Sequence, residues 1–261
     1  STSRRQRQMC IRDRFGGPVR DEIQLAEESF WAGGPGASKS YKGGNKEGSW
    51  KYLKEVRELL QSGEKEKAAE LAGRYFVGEI TPTEAGDQFG DFGGNQPFGS
   101  LCVTVEAADT SWTDYRRSLD LERAMGKVEY DMGGTHFRNT YFASYPARMF
   151  VFKYTNNAPG GKDYRVTFET PHQGTKITVR KDLWIIQGKL ASNGLPFEGR
   201  IKVKTDGKIR FQKGVFRIEG AKNTEFYVSI ASAYANTYPL YRGNDYEEVN
   251  RNAMELSLIH I

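Results

Sequence analysis

The sequence is poor in the residues from which metal-dependent and nucleophilic chemistry is usually assembled. Two cysteines and three histidines occur in 261 residues. Cys10 lies in a basic N-terminal tail and Cys102 in an expected strand, so no disulfide framework is available. Cys102 reads as a packed core thiol rather than a nucleophile. His260 stands beside the C-terminus, and His136 and His172 share no metal-ligand spacing. Neither a metal site nor a Ser-His-Asp triad can be read from them, and no cofactor is expected. No run of about 18 apolar residues exists, which excludes a transmembrane helix.

A strong charge of one sign is missing from the body of the chain as well. The net charge is +5, but residues 1–14 hold Arg4, Arg5, Arg7, Arg12 and Arg14 against Asp13. The tail therefore carries four of the five net charges, and the remainder is nearly neutral. Without a basic face there is no electrostatic footprint for nucleic acid, and neither nucleic acid nor a membrane is an expected partner. The strings MCIRDR (9–14) and LSLIHI (256–261) resemble translated adapter read-through; a disordered basic arm is the alternative. Residues 1–14 and 256–261 are set apart from the expected fold as suspect tails. No signal peptide is read, and the compartment stays open.

What is abundant is glycine, 29 residues, and aromatic side chains, 13%. Glycine suits tight turns, and aromatics suit sheets and sugar sites alike. Val128, Tyr130 and Met132 alternate with Lys127, Glu129 and Asp131, the signature of a strand with one buried face. Gly133-Gly134 predicts a two-residue hairpin into residues 135–144, and Asp206-Gly207 predicts a second hairpin with a type I′ turn. Residues 147–155 and 183–188 are more continuously apolar, as strands buried on both faces would be. Around residues 51–76 the period changes. Leu53, Val56, Leu59 and Leu60, then Ala68, Leu71, Ala72, Tyr75 and Phe76, fall at helical spacing on either side of Gly63. The expected fold is mainly β: a large antiparallel β-sandwich (super-sandwich) with an inserted α-helical hairpin near 51–76.

Two motifs reduce to ordinary readings. GGPGASKS (33–40) resembles a phosphate-binding loop, but Ser38 replaces the second glycine and no helix follows, so it reads as a glycine-rich surface loop. Glu27 and Glu28 form the conspicuous carboxylate pair. On a regular strand their side chains point to opposite faces and do not share a substrate, whereas glycoside hydrolysis places two carboxyl groups about 5 to 9.5 Å apart across one bond.

Three segments together carry a family resemblance: FGGPVRDEIQLAEESFWAGGP (15–35), QPFGSL (96–101) and YRRSLDLERAMGKVEYDMGGTHFRNTYFASYP (115–146). In this order and spacing the chain resembles the N-terminal domain of glycoside hydrolase family 95, the inverting α-L-fucosidases and some related α-galactosidases. The resemblance covers residues 15–250. Two positions depart from it, Ala26 where Asn is common and Phe30 where Leu is common. It implies a β-sandwich followed by a helical linker, an (α/α)6 catalytic barrel and a C-terminal β domain. The sandwich is assigned to 15–243 and the start of the linker to 244–255. The general acid Glu and the water-activating Asn and Asp residues belong to the barrel, so no catalytic residue carries over and the chain alone is expected to be inactive. Its partner is then its own missing barrel, and the parent's substrate a fucosylated oligosaccharide; a periplasmic or secreted parent fits this reading. Trp31, Gln96 and His136 are the substrate-proximal candidates. An indole face can stack on a sugar, and an amide or imidazole can hydrogen-bond a hydroxyl. The rival expectations are a stand-alone carbohydrate-binding module and the N-domain of a related α-galactosidase or phosphorylase. The tail also stands where an opening strand is common, which would leave an unpaired edge and a chain of marginal stability.

Overall fold

The computed structural model describes residues 11–14, 16–31, 46–78, 94–212, 214–237 and 240–260. The strands are β1 (Ile11–Arg14), β2 (Arg20–Trp31), β3 (Asn95–Glu106), β4 (Trp112–Asp120), β5 (Met125–Met132), β6 (Thr135–Ser144) and β7 (Met149–Asn156). They continue as β8 (Lys162–Glu169), β9 (Lys176–Arg180), β10 (Leu183–Lys189), β11 (Pro196–Thr205), β12 (Lys208–Gln212), β13 (Val215–Ala221) and β14 (Asn223–Ser232). One sheet has the order β1-β2-β3-β8-β13-β12, the other β4-β5-β6-β7-β14-β11-β10-β9. Helices α1 (Leu53–Gln61) and α2 (Lys65–Phe76) form the expected hairpin, and α3 (Tyr246–His260) follows the last strand.

The pattern of alternation explains how the sheets face each other. Val128, Tyr130 and Met132 are buried while Lys127, Glu129 and Asp131 are half-exposed, so β5 turns one face inward. Ile23, Leu101, Val166, Phe216 and Ile218 of the first sheet meet Val128, Phe152, Trp184, Ile201 and Phe226 of the second in one core. Gly133 and Gly134 both take positive φ, 53° and 71°, as a type I′ hairpin requires. Strand β7 is buried along most of its length because α3 covers the outer face of its sheet. There Met149, Val151 and Tyr227 pack on Ala253 and Met254. Asn250, fully buried, fastens the helix: its amide donates to the Glu198 carbonyl at 2.9 Å and accepts from Ser229 Oγ at 2.8 Å.

Two expectations need correction. Asp206-Gly207 is not a hairpin turn. Neither residue has positive φ, and β11 and β12 belong to different sheets, so the dipeptide carries the chain across the sandwich. Asp206 Oδ1 accepts from the backbone N–H groups of Lys222 (2.9 Å) and Asn223 (3.0 Å), where the chain crosses back. A Cβ on Gly207 would stand 2.6 Å from the Glu219 carbonyl oxygen, so close approach rather than turn type selects glycine. Second, β10 buries Trp184 and Ile186 but leaves Leu183 and Ile185 half-exposed, because it lies beside the edge strand β9. Secondary structure extends into the segments set apart as suspect tails. Ile11–Arg14 pairs antiparallel with β2, and α3 runs on to His260. The glycine-rich segment 33–40 lies outside the described residues. No described helix is long and apolar enough to cross a membrane.

An aromatic cluster joins the two sheets. Phe98 of β3 lies over Gly199 of β11, where a Cβ would stand 2.3 Å from the ring. Phe30 packs edge-on against Phe98 at 5.6 Å and tilted on Phe197 at 4.9 Å. Gly199→Ala is expected to force Phe98 off its rotamer and cost about 1–3 kcal/mol, seen as a lower denaturation midpoint with an unchanged m-value.

Candidate functional site

Strand β2 starts as a regular strand and ends as something else. From Arg20 to Leu25 it pairs residue for residue with β3. Beyond Ala26 the register breaks: Ala26 faces Pro97, and the next pairing is Trp31 with Asn95, so five steps of β2 oppose two of β3. Residues 27–30 are a bulge, and a bulge abolishes the alternation of faces. This overturns the expectation for the two glutamates. Glu27 and Glu28 line the same cavity rather than opposite faces.

The backbone groups freed by the bulge are satisfied locally. Asn95 Nδ2 donates to the Glu27 carbonyl at 3.0 Å, and Asn193 Nδ2 to the Trp31 carbonyl at 2.8 Å. The Ser29 N–H donates to Glu27 Oε2 at 2.8 Å, and the Ser29 hydroxyl donates to the same oxygen. Ser29 Oγ is also 2.6 Å from Ser232 Oγ of β14, and Ser232 Oγ accepts from the Tyr234 N–H at 3.2 Å. With the Ser29 proton committed to Glu27, Ser232 is the donor to Ser29. The chain of hydrogen bonds thus runs from Tyr234 through two serines to one carboxylate oxygen. Oε2 accepts both Ser29 bonds, and Oε1 takes part in neither.

The cavity is about 260 Å³. Its polar wall is Glu27, Glu28, Arg148 and Asn244, and Phe150 and Ile230 form an apolar floor. Burial pushes the Glu27 carboxyl up to about 7; the Ser29 bonds and Arg148 oppose this, and neighbouring Glu28 adds to it. Burial raises Glu28 as well, against the pull of Arg148. A carboxyl near 7 is divided between its charged and neutral forms at neutral pH, so it can accept or donate. Perturbed acids in a cavity mark candidate functional sites.

The three residues singled out from sequence do not line this cavity. Trp31 closes the bulge with its side chain 45% exposed, and its pairing with Asn95 brings it beside Gln96. The Gln96 amide donates to the Gly94 carbonyl at 3.3 Å and so steadies its own loop. His136 lies on the other sheet, opposite Asp131, with Nδ1 2.7 Å from that carboxylate. His172 is half-buried between Phe30 and Phe197 and donates from Nε2 to the Pro97 carbonyl at 2.8 Å; burial lowers its pKa. Sequence reasoning missed Arg148, Tyr145, Tyr234 and Asn244. Tyr145 sits in the quoted 115–146 segment, but nothing in the sequence joins it to Glu27. Among the described residues, no group of three or more His, Cys, Asp or Glu side chains is placed to hold a metal ion.

The two-sheet sandwich thus carries a small polar cavity and a helix packed on the outer face of one sheet. The family model described as "Glycosyl hydrolase family 65, N-terminal domain" matches residues 14–237, and the chain belongs to that family. Alpha-L-fucosidase 2 of Arabidopsis thaliana is 24% identical over 70% of this chain and 20% of its own length. Probable alpha-fucosidase A of Aspergillus oryzae is 27% identical over 55% of this chain and 18% of its own. The chain therefore spans about a fifth of the length of these curated relatives. Among solved structures, a family GH92 inverting mannosidase from Bacteroides thetaiotaomicron matches 61% of this chain and 26% of its own at 10% identity. Its TM-score is 0.28.

Glu27 gives a pH test. Its carboxyl rises from an ordinary 4.5 to about 7 on folding. Below pH 4.5 it is protonated in both folded and unfolded chains and costs nothing; above 7 the folded chain carries a desolvated charge. The group therefore removes stability as pH rises through this window, by about 3 kcal/mol. Glu27→Gln is expected to leave stability unchanged near pH 4.5 and to raise it by that amount at pH 8, measured by urea unfolding at both pH values.

Proposed function

We propose that this chain is the non-catalytic N-terminal domain of an exo-acting, inverting α-L-fucosidase-like enzyme of glycoside hydrolase family 95. It would pack against an (α/α)6 catalytic barrel. The observation that carries the reading is the match to an N-terminal-domain family together with fucosidases about five times longer than the region shared. Surface chemistry supports a packed partner. Strand β4 is exposed along its whole length and presents Trp112, Tyr115 and Leu119 at the free edge of the eight-stranded sheet. The hairpin and the short turn of helix before it leave Leu60 52% and Trp50 72% exposed. Apolar edges of this kind are normally covered by another chain or domain. In this role Trp31 supplies an indole face and Gln96 a hydroxyl partner at the rim of the barrel's sugar site. His136, tied to Asp131, is a third polar candidate on a different face.

Assays on an aryl α-L-fucoside and a fucosylated oligosaccharide test the proposal. The chain alone is expected to be inert, and turnover by it would overturn the non-catalytic reading. In a full-length homologue, alanine at the position matching Trp31 is expected to lower kcat/KM about tenfold, a loss of about 1.4 kcal/mol of transition-state stabilisation. Unchanged kcat/KM would remove Trp31 from the sugar site.

A further inference from the structure

We infer that the cavity at the end of β2 is itself a binding site for one neutral saccharide residue. It would be a glycan-anchoring subsite built into this domain. The polar groups that face it are not spent on one another. Among the described residues, the Glu28 carboxylate, the Arg148 guanidinium and the hydroxyls of Tyr145 and Tyr234 make no hydrogen bond or ion pair. Asn244 uses its amide nitrogen on the Ser232 carbonyl at 2.8 Å, which leaves its carbonyl oxygen for the cavity. Glu27 offers Oε1, because Oε2 is held by Ser29.

This set of groups selects the ligand. Glu28 and the partly charged Glu27 against one guanidinium leave no net positive charge to hold phosphates, uronic acids or other anions. Arg148 at the same wall disfavours a cation. What remains is an uncharged molecule dense in hydroxyl groups. Carboxylate oxygens accept from neighbouring hydroxyls, and the guanidinium donates to a hydroxyl or a ring oxygen. Tyr145 and Tyr234, 45% and 39% exposed at the rim, each offer an apolar ring face and a polar tip. Phe150 and Ile230 provide the apolar floor that small-molecule sites usually have. At about 260 Å³ the cavity lies just below the roughly 300 Å³ where drug-sized pockets begin, which suits a single sugar unit.

The site stands on its own geometry; only L-fucose as the first probe rests on the fucosidase-like reading. The test is a titration of the chain with L-fucose, D-galactose, D-glucose and D-mannose, followed through backbone amide chemical shifts. Saturable binding is expected for at least one sugar, with Kd on the order of 1 mM. The shifts should centre on Ser29, Ser232, Tyr234 and Asn244. Arg148→Met and Glu28→Gln, both changes of exposed side chains, are each expected to raise Kd at least tenfold while the remaining spectrum stays folded. Binding of another neutral sugar without L-fucose would uphold the site and count against a fucose-directed parent. Shifts centred elsewhere, a Kd unaffected by both variants, or no saturable binding of any sugar would overturn the site and leave the domain assignment untouched.

Discussion

The structure depends on one crossing, where the end of β2 leaves its own sheet to touch β14 of the other. Ser29 and Ser232 meet there through their hydroxyls, although 203 residues separate them in the chain. A strand held flat in its ladder cannot make that contact. The bulge over residues 27–30 supplies the slack, turns Phe30 into the core and swings both glutamates to the rim. Phe30 then meets Phe98 and Phe197, one from each sheet, and the aromatic cluster holds the crossing in place. The hydrogen bonds are directional but individually modest; buried aromatic area supplies most of the stabilisation.

Other close approaches in the sandwich are solved by removing a side chain or adding a polar clamp. Gly199 makes room for Phe98, and Gly207 for the returning crossover. Asp206 holds the two crossovers together through backbone N–H groups that would otherwise be unpaired where the ladder stops. On the outer face, Glu198 is buried and ion-paired with Arg200 at 2.7 Å. Its backbone carbonyl receives Asn250, so the same residue anchors α3. A helix fixed in this way leaves the sandwich in a defined direction.

Elements whose signal is local were legible in the sequence. The alternation of β5, the Gly133-Gly134 turn and the helical spacing from Leu53 to Phe76 each follow from a few neighbouring residues. Sheet membership was not legible. Asp206-Gly207 has the residues of a hairpin turn, and only the long-range pairing of β12 with β13 decides against it. The cavity was still less visible. Its wall draws on β2, the turn before β7, the segment after β14 and the start of α3, and nothing in a linear pattern joins these. The glutamate pair was noticed, but period-two reasoning assumes a regular strand, and the bulge is the point where that assumption ends.

The energetics of the cavity argue that it was not shaped by stability alone. A carboxylate recruited only to stabilise a bulge would gain from its hydrogen bonds and fall below its ordinary pKa, as the exposed Asp109 does beside Ser111. Glu27 goes the other way: burial outweighs both Ser29 bonds, and the charged form is worse off than in water. Arg148, which lines the same cavity, holds a left-handed backbone at φ 49°, a conformation that costs a non-glycine residue about 1 kcal/mol or more. Four other non-glycine residues among those described share that conformation, so the backbone cost by itself marks nothing. Its coincidence with a desolvated glutamate at one small cavity is more specific. Glutamine at 27 and glycine at 148 would relieve both costs without disturbing the aromatic cluster. Local penalties that an easy substitution would remove are what a site retained for its chemistry is expected to show.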